Sequence, residues 1–240
     1  MARRIARQDG NGILYDDTLL GHADPALFDA ATWADAPVAP GYSGGRGATR
    51  FIEHNRQQWV LRHFHRGGTI GRVLNDQFLW LGEGRTRCFR EWELLATLQE
   101  LGLPAPRPVG ARYRRRGLTY TADLLTVCVP DVEPLSNRLR RGPAGADIWT
   151  AVGCCIGAFH RAGVFHADLT AHNLQIDSQN RIFLLDFDRG LIRTDGGNWR
   201  QANLARLHRS LVKISQDSAT PFSPREWRWL LDGYEKGTGP

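Results

Sequence analysis

His166-Ala167-Asp168-Leu169-Thr170-Ala171-His172-Asn173, followed by Leu184-Leu185-Asp186-Phe187-Asp188, is the stretch on which the reading of this chain turns. It sets a carboxylate, an amide and a second carboxylate in a fixed order, and each residue type has its own chemical reason to be there. A hydroxyl is a poor nucleophile, so a carboxylate within hydrogen-bond reach must orient it and take its proton as a P–O bond forms. Asp168 is the candidate for that base. Magnesium prefers oxygen ligands and keeps several waters, so one carboxylate and one amide oxygen suffice on the protein side. Asp186 and Asn173 are the candidates for that pair. The two aspartates lie 18 positions apart. Between them Leu174-Gln175-Ile176-Asp177 and Arg181-Ile182-Phe183-Leu184-Leu185 read as a short hairpin turning at Ser178-Gln179-Asn180. A hairpin returns the chain to where it left, which predicts Asp186 beside Asn173.

His166, Asp168 and His172 also offer nitrogen and oxygen atoms that a hydrolytic metal could use. They lack the helical H-E-x-x-H register and a nearby third histidine. His166 is expected instead to bond the backbone of its own loop, and His172 to be a loop side chain near the substrate.

The order H-x-D-x-x-x-x-N and then D-F-x is that of a protein-kinase-type phosphotransfer site. The fold class expected is therefore α+β and bilobal. Residues 1–130 would form an N-terminal lobe around a small antiparallel sheet, and residues 131–240 a mainly helical C-terminal lobe, together one kinase-like domain. The upstream chain is consistent with this. Gly41-Tyr42-Ser43-Gly44-Gly45-Arg46-Gly47 precedes a hairpin of Ala48–His54 and Gln58–Phe64. A glycine-rich loop lets backbone N–H groups approach phosphates without a Cβ in the way, so Gly44, Gly45 and Gly47 are candidate nucleotide-binding positions.

On the second strand Val60 and Arg62 share a face under the two-residue period. In the V-A-I-K pattern they take the adenine-facing and phosphate-binding places, with arginine standing where lysine is usual. His63 would point the other way. A helix is predicted from about Thr86 to Leu101, with Leu94, Leu98 and Leu101 on one stripe and Gly102 as its stop. Glu91 on that helix could pair with Arg62 as the corresponding helix glutamate does in kinases, which the site resembles. Two further strands, Gly110–Arg114 and Thr119–Val129, lead toward a hinge near Cys128 to Asp131. Apolar helical faces follow at Ile148, Val152, Cys155, Ile156 and Phe159, then at Leu204, Leu207, Leu211 and Ile214. Ser223-Pro224-Arg225-Glu226 is a capping-box start for a last helix.

Composition narrows the partners. The chain has 240 residues, 42% of them hydrophobic, with 8 Trp and 10 Phe, enough for a real core. Its 4 cysteines form no C-x-x-C pair, and Cys154 and Cys155 are adjacent, so a reducing compartment is the default. No run approaches the roughly 20 apolar residues that span a bilayer, which predicts a cytosolic or peripheral protein. Net charge is +6, with lysine only at Lys213 and Lys236. Arginines cluster at 112–116, 138–141 and 62–72, and they suit an anionic partner or simply a solvated basic surface.

With its motifs placed, the chain resembles the lipopolysaccharide core sugar kinases, the Kdo (3-deoxy-D-manno-octulosonic acid) kinases most of all. The resemblance rests on Gly44-Gly45-Arg46-Gly47, Trp59-Val60-Leu61-Arg62-His63-Phe64, Arg66-Gly67-Gly68, Gly102-Leu103-Pro104-Ala105-Pro106 and Ala122-Asp123-Leu124-Leu125-Thr126. It continues through His166 to Asn173, Leu185-Asp186-Phe187-Asp188-Arg189-Gly190 and Gln201-Ala202-Asn203-Leu204-Ala205-Arg206-Leu207. It implies ATP and Mg2+ as cofactors, and phosphorylation of the 4-hydroxyl of Kdo on a lipid A precursor. It also implies peripheral attachment to the cytoplasmic side of the inner membrane, with an anionic glycolipid as partner, no nucleic acid and no protein partner evident. Asp168 would be the base, Asn173 and Asp186 the metal ligands, and Glu91 the residue that positions Arg62. Against protein kinases, Asp188 replaces the usual glycine and an A-P-E segment is missing, which turns the site away from protein substrates. A heptose kinase, another small-molecule phosphotransferase and a non-catalytic basic scaffold are the competing readings. The intact Asp168, Asn173 and Asp186 set separates an enzyme from the scaffold.

Overall fold

The computed structural model describes residues 1–29, 31–33, 49–65, 76–194, 196–216 and 221–239. The glycine-rich positions Gly44, Gly45 and Gly47, and the Arg66-Gly67-Gly68 motif, lie outside the described residues. The chain divides into two compact units, Met1–Ala96 with Pro106–Cys128, and Thr97–Ala105 with Val129–Pro240. The first is built on an antiparallel sheet and the second mainly on helices, an α+β organisation.

In the first unit the strands are β1 (Arg3–Gln8), β2 (Asn11–Asp16), β3 (Arg50–His54), β4 (Gln57–His63), β5 (Phe78–Leu79), β6 (Pro108–Arg116) and β7 (Thr119–Val127). They run in the order β1-β2-β6-β7-β4-β3, with β5 on β7. A short helix α1 (Asp17–Leu20) follows β2, and α2 (Arg87–Glu100) precedes β6. On β4, Trp59 and Leu61 are buried while Val60 and Arg62 take the other face, so the period-two pattern fixes the register. Trp59 and Leu61 join Ile13, Phe28, Ile52, Val109 and Leu125 in one core.

Two expectations need correction here, and one strand was not expected. β1 is a strand that hydropathy does not reveal, because Arg3-Arg4-Ile5-Ala6-Arg7-Gln8 is an edge strand with no buried residue and, among the described residues, pairs only with β2. Leu101 does not join the stripe of Leu94 and Leu98, for it lies beyond the end of α2 and is exposed. Arg112 does not belong to a basic surface. It is buried, its Nε donates to Asp123 Oδ2 at 2.9 Å, and its other nitrogens reach the carbonyls of Pro25 and Phe28 and the carboxylate of Asp29. Asp123 stands opposite both Arg112 on β6 and His63 on β4, and its Oδ1 lies 2.6 Å from His63 Nδ1. The Ala122-Asp123-Leu124-Leu125-Thr126 motif thus supplies a buried carboxylate that ties three strands together. A buried charge is tolerated when it is paired in this way.

In the second unit α3 (Leu135–Arg140) follows β8 (Val132–Pro134), and α4 (Ala146–Arg161) leads into β9 (Val164–Phe165). The strands β10 (Leu174–Asp177) and β11 (Ile182–Leu184) form the expected hairpin, with β8 on the other side of β10. A last strand β12 (Leu191–Ile192) pairs with β9, and helices α5 (Trp199–Ser215) and α6 (Pro224–Thr238) complete the unit. α6 starts on the expected capping box of Ser223 and Glu226. Glu226 also accepts from Trp149 Nε1 at 3.1 Å, so the cap doubles as a buried tie between α6 and α4.

Candidate phosphotransfer site

Two small ladders hold the candidate catalytic residues. β9 feeds the loop from His166 to Asn173, β10 and β11 carry the chain away and back, and β12 closes against β9. As the hairpin returns, the Leu185 N–H donates to the Asn173 carbonyl at 2.9 Å. Asp186 therefore emerges next to Asn173, as the hairpin geometry predicts.

α4 is stopped just before β9 by Gly163, whose φ is +77°. A Cβ there would lie 2.6 Å from the Arg193 carbonyl, so the position needs glycine twice over.

His166 is the hinge-pin of the loop. The Asp168 N–H donates to His166 Nδ1 at 3.1 Å, and His166 Nε2 lies 2.9 Å from the Leu185 carbonyl. A carbonyl can only accept, so the ring is neutral with its proton on Nε2. Burial pushes its pKa down, in keeping with that state. Both ring nitrogens are engaged, which leaves none for a metal and removes the hydrolase reading. Phe187 is fully buried and stands edge-on to His166 at 5.0 Å, with Phe159 of α4 at 5.6 Å. Burying one such ring contributes about 1.5–3 kcal/mol, so Phe187 anchors the backbone on which Asp186 sits. Asp186 itself has φ +62°, and Arg189 +58°, within a turn closed by the Gly190 N–H on the Phe187 carbonyl at 2.8 Å. Left-handed backbone at non-glycine residues is uncommon and clusters at functional sites.

The Asn173 amide nitrogen donates to the Asp168 carbonyl at 2.8 Å. With the nitrogen so committed, Oδ1 is the atom that Asn173 can offer to a cation. An amide oxygen and the carboxylate of Asp186, whose backbone follows Leu185 beside Asn173, are the hard-oxygen types that magnesium takes, so the donors fit that ion. Among the described residues there is no group of three or more His, Cys, Asp or Glu side chains that could hold a metal by themselves. The Asp168 carboxylate is about half exposed, and its Oδ1 accepts from Arg206 Nε at 3.0 Å and from Arg206 Nη2.

The remaining described candidates lie in the first unit. Arg62 Nη2 reaches Glu91 Oε2 at 2.5 Å, joining β4 to α2, and the Arg62 guanidinium lies 4.6 Å from the Phe64 ring centroid. Glu91 is buried, unlike most helix glutamates. Val60 shares the face of Arg62, while His63 on the opposite face turns to Asp123.

Sequence reasoning missed Asn203 of α5. It is buried, its Oδ1 accepts from the His166 N–H at 3.2 Å, and its Nδ2 donates to the His166 carbonyl at 2.9 Å. The available signal was a polar residue inside an apolar helical register, one position before Leu204.

Comparison with known proteins agrees with these features. The model of the lipopolysaccharide kinase (Kdo/WaaP) family matches residues 30–234. A 3-deoxy-D-manno-octulosonic acid kinase of Xanthomonas campestris pv. campestris (strain B100) is 41% identical over 97% of this chain and 94% of its own length. Another from Stenotrophomonas maltophilia (strain K279a) is 39% identical over 95% of this chain and 92% of its own length. A solved structure, WaaP in complex with acyl carrier protein, covers 93% of this chain and 88% of its own with a TM-score of 0.59 at 18% identity, which shows the protein-kinase-like fold. That structure also corrects the expectation that no protein partner is evident, since a protein of the same fold is seen bound to one. No helix among the described residues is long and apolar enough to cross a membrane. By family model and by identity along nearly its whole length, the chain belongs to the lipopolysaccharide kinase (Kdo/WaaP) family.

Proposed function

We propose that this protein is an ATP-dependent sugar kinase that phosphorylates the 4-hydroxyl of Kdo on a lipid A precursor during lipopolysaccharide core assembly. Identity of 41% to a 3-deoxy-D-manno-octulosonic acid kinase over 97% of the chain carries the reading. The intact set of Asp168, Asn173 and Asp186 supports it. The cofactors are ATP and Mg2+, and the acceptor is a glycolipid met at the cytoplasmic face of the inner membrane. The two lobes, residues 1–130 and 131–240, divide the labour.

Asp168 orients the sugar hydroxyl and takes its proton as oxygen attacks the terminal phosphorus of ATP and the bond to ADP breaks. When bound, magnesium supplies positive charge to the phosphates, and Asn173 and Asp186 are the residues that hold it. Arg62 grips phosphate and Glu91 keeps it in place, while Val60 faces the adenine. Gly44, Gly45 and Gly47 give backbone N–H groups access to the phosphates.

The test is transfer of radiolabel from ATP to the Kdo-bearing precursor, with a heptosylated acceptor alongside. Label on Kdo at its 4-position is expected, and Asp168→Asn should lower kcat by at least about a hundredfold, the scale of losing a general base. Label on heptose alone, or unchanged turnover in the variant, would overturn the reading.

A further inference from the structure

The Gln201-Ala202-Asn203-Leu204-Ala205-Arg206-Leu207 segment is left without a role by the chemistry above, and one face of α5 lies along the catalytic loop. Positions 203, 206, 207 and 210 fall at helical spacing on that face. Asn203 holds the His166 backbone by two hydrogen bonds, Leu207 is fully buried, and the Ser210 hydroxyl accepts from the Ala171 N–H at 3.2 Å. The hydrogen bonds of Asn203 and Ser210 fix the loop, and Leu207 anchors the helix. Arg206 differs from them because it engages a reacting side chain.

Its Nε and Nη2 both donate to Asp168 Oδ1, whereas Oδ2 has only the Asn173 amide, at 3.5 Å. Its Nη1 makes no hydrogen bond among the described residues. The side chains are 46% and 49% exposed, and an ion pair in that setting contributes little to stability. The fold therefore gains little by keeping it, so its value is to be sought in the reaction.

A guanidinium is a planar fork that pairs carboxylates on more than one edge. The proposed acceptor is a sugar acid. In its ring form the carboxylate hangs from the second carbon and the reacting hydroxyl from the fourth, roughly 4 Å apart given carbon–carbon bonds of about 1.5 Å. One arginine hydrogen-bonded to the base can reach across that interval, and a neutral sugar offers it hydroxyl oxygens but no charged acceptor.

We propose that Arg206 is the residue that recognises the acceptor: it fixes Asp168 through Oδ1, leaves Oδ2 for the sugar hydroxyl, and presents Nη1 to the carboxylate of the sugar acid. This rests on the kinase reading above and names how that site selects its substrate.

The experiment crosses the enzyme with the acceptor. Wild type, Arg206→Lys and Arg206→Gln are each assayed on the Kdo-bearing lipid A precursor and on its carboxyl methyl ester, with thermal melting to establish that each variant is folded. Removing one charge-assisted hydrogen bond should lower kcat/KM about tenfold to a hundredfold, mostly through KM. Esterification should therefore cost wild type that factor. Arg206→Gln should lose at least that factor through KM on the native acceptor, with a further fall in kcat because Asp168 loses its tether, and should lose little more on the ester; Arg206→Lys should fall between. Losses that multiply in the variant with the ester, or a wild type indifferent to the ester, would overturn the assignment, and the second comparison does not depend on any variant folding. A wild type that transfers nothing to the native acceptor would instead overturn the kinase reading itself.

Discussion

Arg62 on β4 and Glu91 on α2 meet at 2.5 Å, the arginine a quarter exposed and the glutamate only 3%. The pair is asymmetric, because removing the arginine takes a charge partner from a buried carboxylate while neutralising the glutamate leaves a cation that still reaches solvent. Arg62→Ala should destabilise the protein by about 3–5 kcal/mol, Glu91→Gln by distinctly less, and the double variant should recover part of the first loss. Urea unfolding of all four proteins measures this. In assays, Arg62→Ala should raise the KM for ATP at least about tenfold. An unchanged KM would take Arg62 out of phosphate binding.

Asn203 fills a position at which only an amide of that length can bond both the N–H and the C=O of His166. Asn203→Leu keeps the branched shape, though it is bulkier, and leaves both backbone groups buried and unpaired, at about 1–3 kcal/mol each. The expected outcome is a lower unfolding midpoint together with a fall in kcat, since the same backbone carries Asp168. Asn203→Asp keeps the acceptor and loses the donor, so it should lie between. Full activity in Asn203→Leu would show that the loop needs no tether from α5.

Much of the second unit's site was legible because its logic is local. The hairpin between Asn173 and Asp186 is short, its strands are apolar, and Asp177 caps the turn by accepting from the Gln179 and Arg181 N–H groups, so chain order alone brings the two ends together. Glu91 could be paired with Arg62 only by resemblance, as nothing in a helical glutamate announces burial. Arg112 and Asn203 were illegible for a common reason. Their partners lie far along the chain, Phe28 for the first and His166 for the second, and a polar residue inside an element looks the same whether it faces water or a distant backbone. The fold as a whole was read from motifs, whereas the edge strand β1 has no hydrophobic period to read.

Helix packing supplies a prediction that periodicity does not. Gly153 and Gly157 of α4 lie against Leu230 to Gly237 of α6, and a Cβ built on Gly153 would stand 2.0 Å from the Leu230 carbonyl oxygen. A Cβ on Gly233 would stand 2.2 Å from the Thr150 carbonyl oxygen. The two backbones touch, so there is no flexible side chain to move aside. Gly153→Ala and Gly233→Ala gain helix propensity of nearly 1 kcal/mol, yet each should destabilise by about 3 kcal/mol or more as the helices are forced apart. Gly84→Ala, where a Cβ would meet nothing within 4 Å, is the control and should be nearly neutral. Thermal or urea unfolding of the three variants decides it.

Four histidines set the pH dependence of stability, and they pull in opposite directions. Burial, helped by the charge of Arg200, pushes His160 down to about 4 against its hydrogen bond with Asn203, burial also lowers His166, and partial desolvation lowers the exposed His172. For these groups the unfolded chain takes up protons first as pH falls, so their contribution is complete above about pH 6.5 and is lost as pH falls through each folded value, about 4 for His160. For His160 the loss is on the order of 3 kcal/mol. His63 shifts the other way. Burial opposes its charge, but the hydrogen bond and charge of Asp123, with Asp76 behind them, outweigh that and raise its pKa. Its contribution is present below its unfolded value and declines as pH rises through the folded one. Stability should therefore peak near pH 6.5, the ordinary histidine value. In urea unfolding from pH 5 to 8, His160→Asn should flatten the acid side and His63→Asn the alkaline side. An acid limb equally steep in His160→Asn would mean that this histidine is already charged in the native protein.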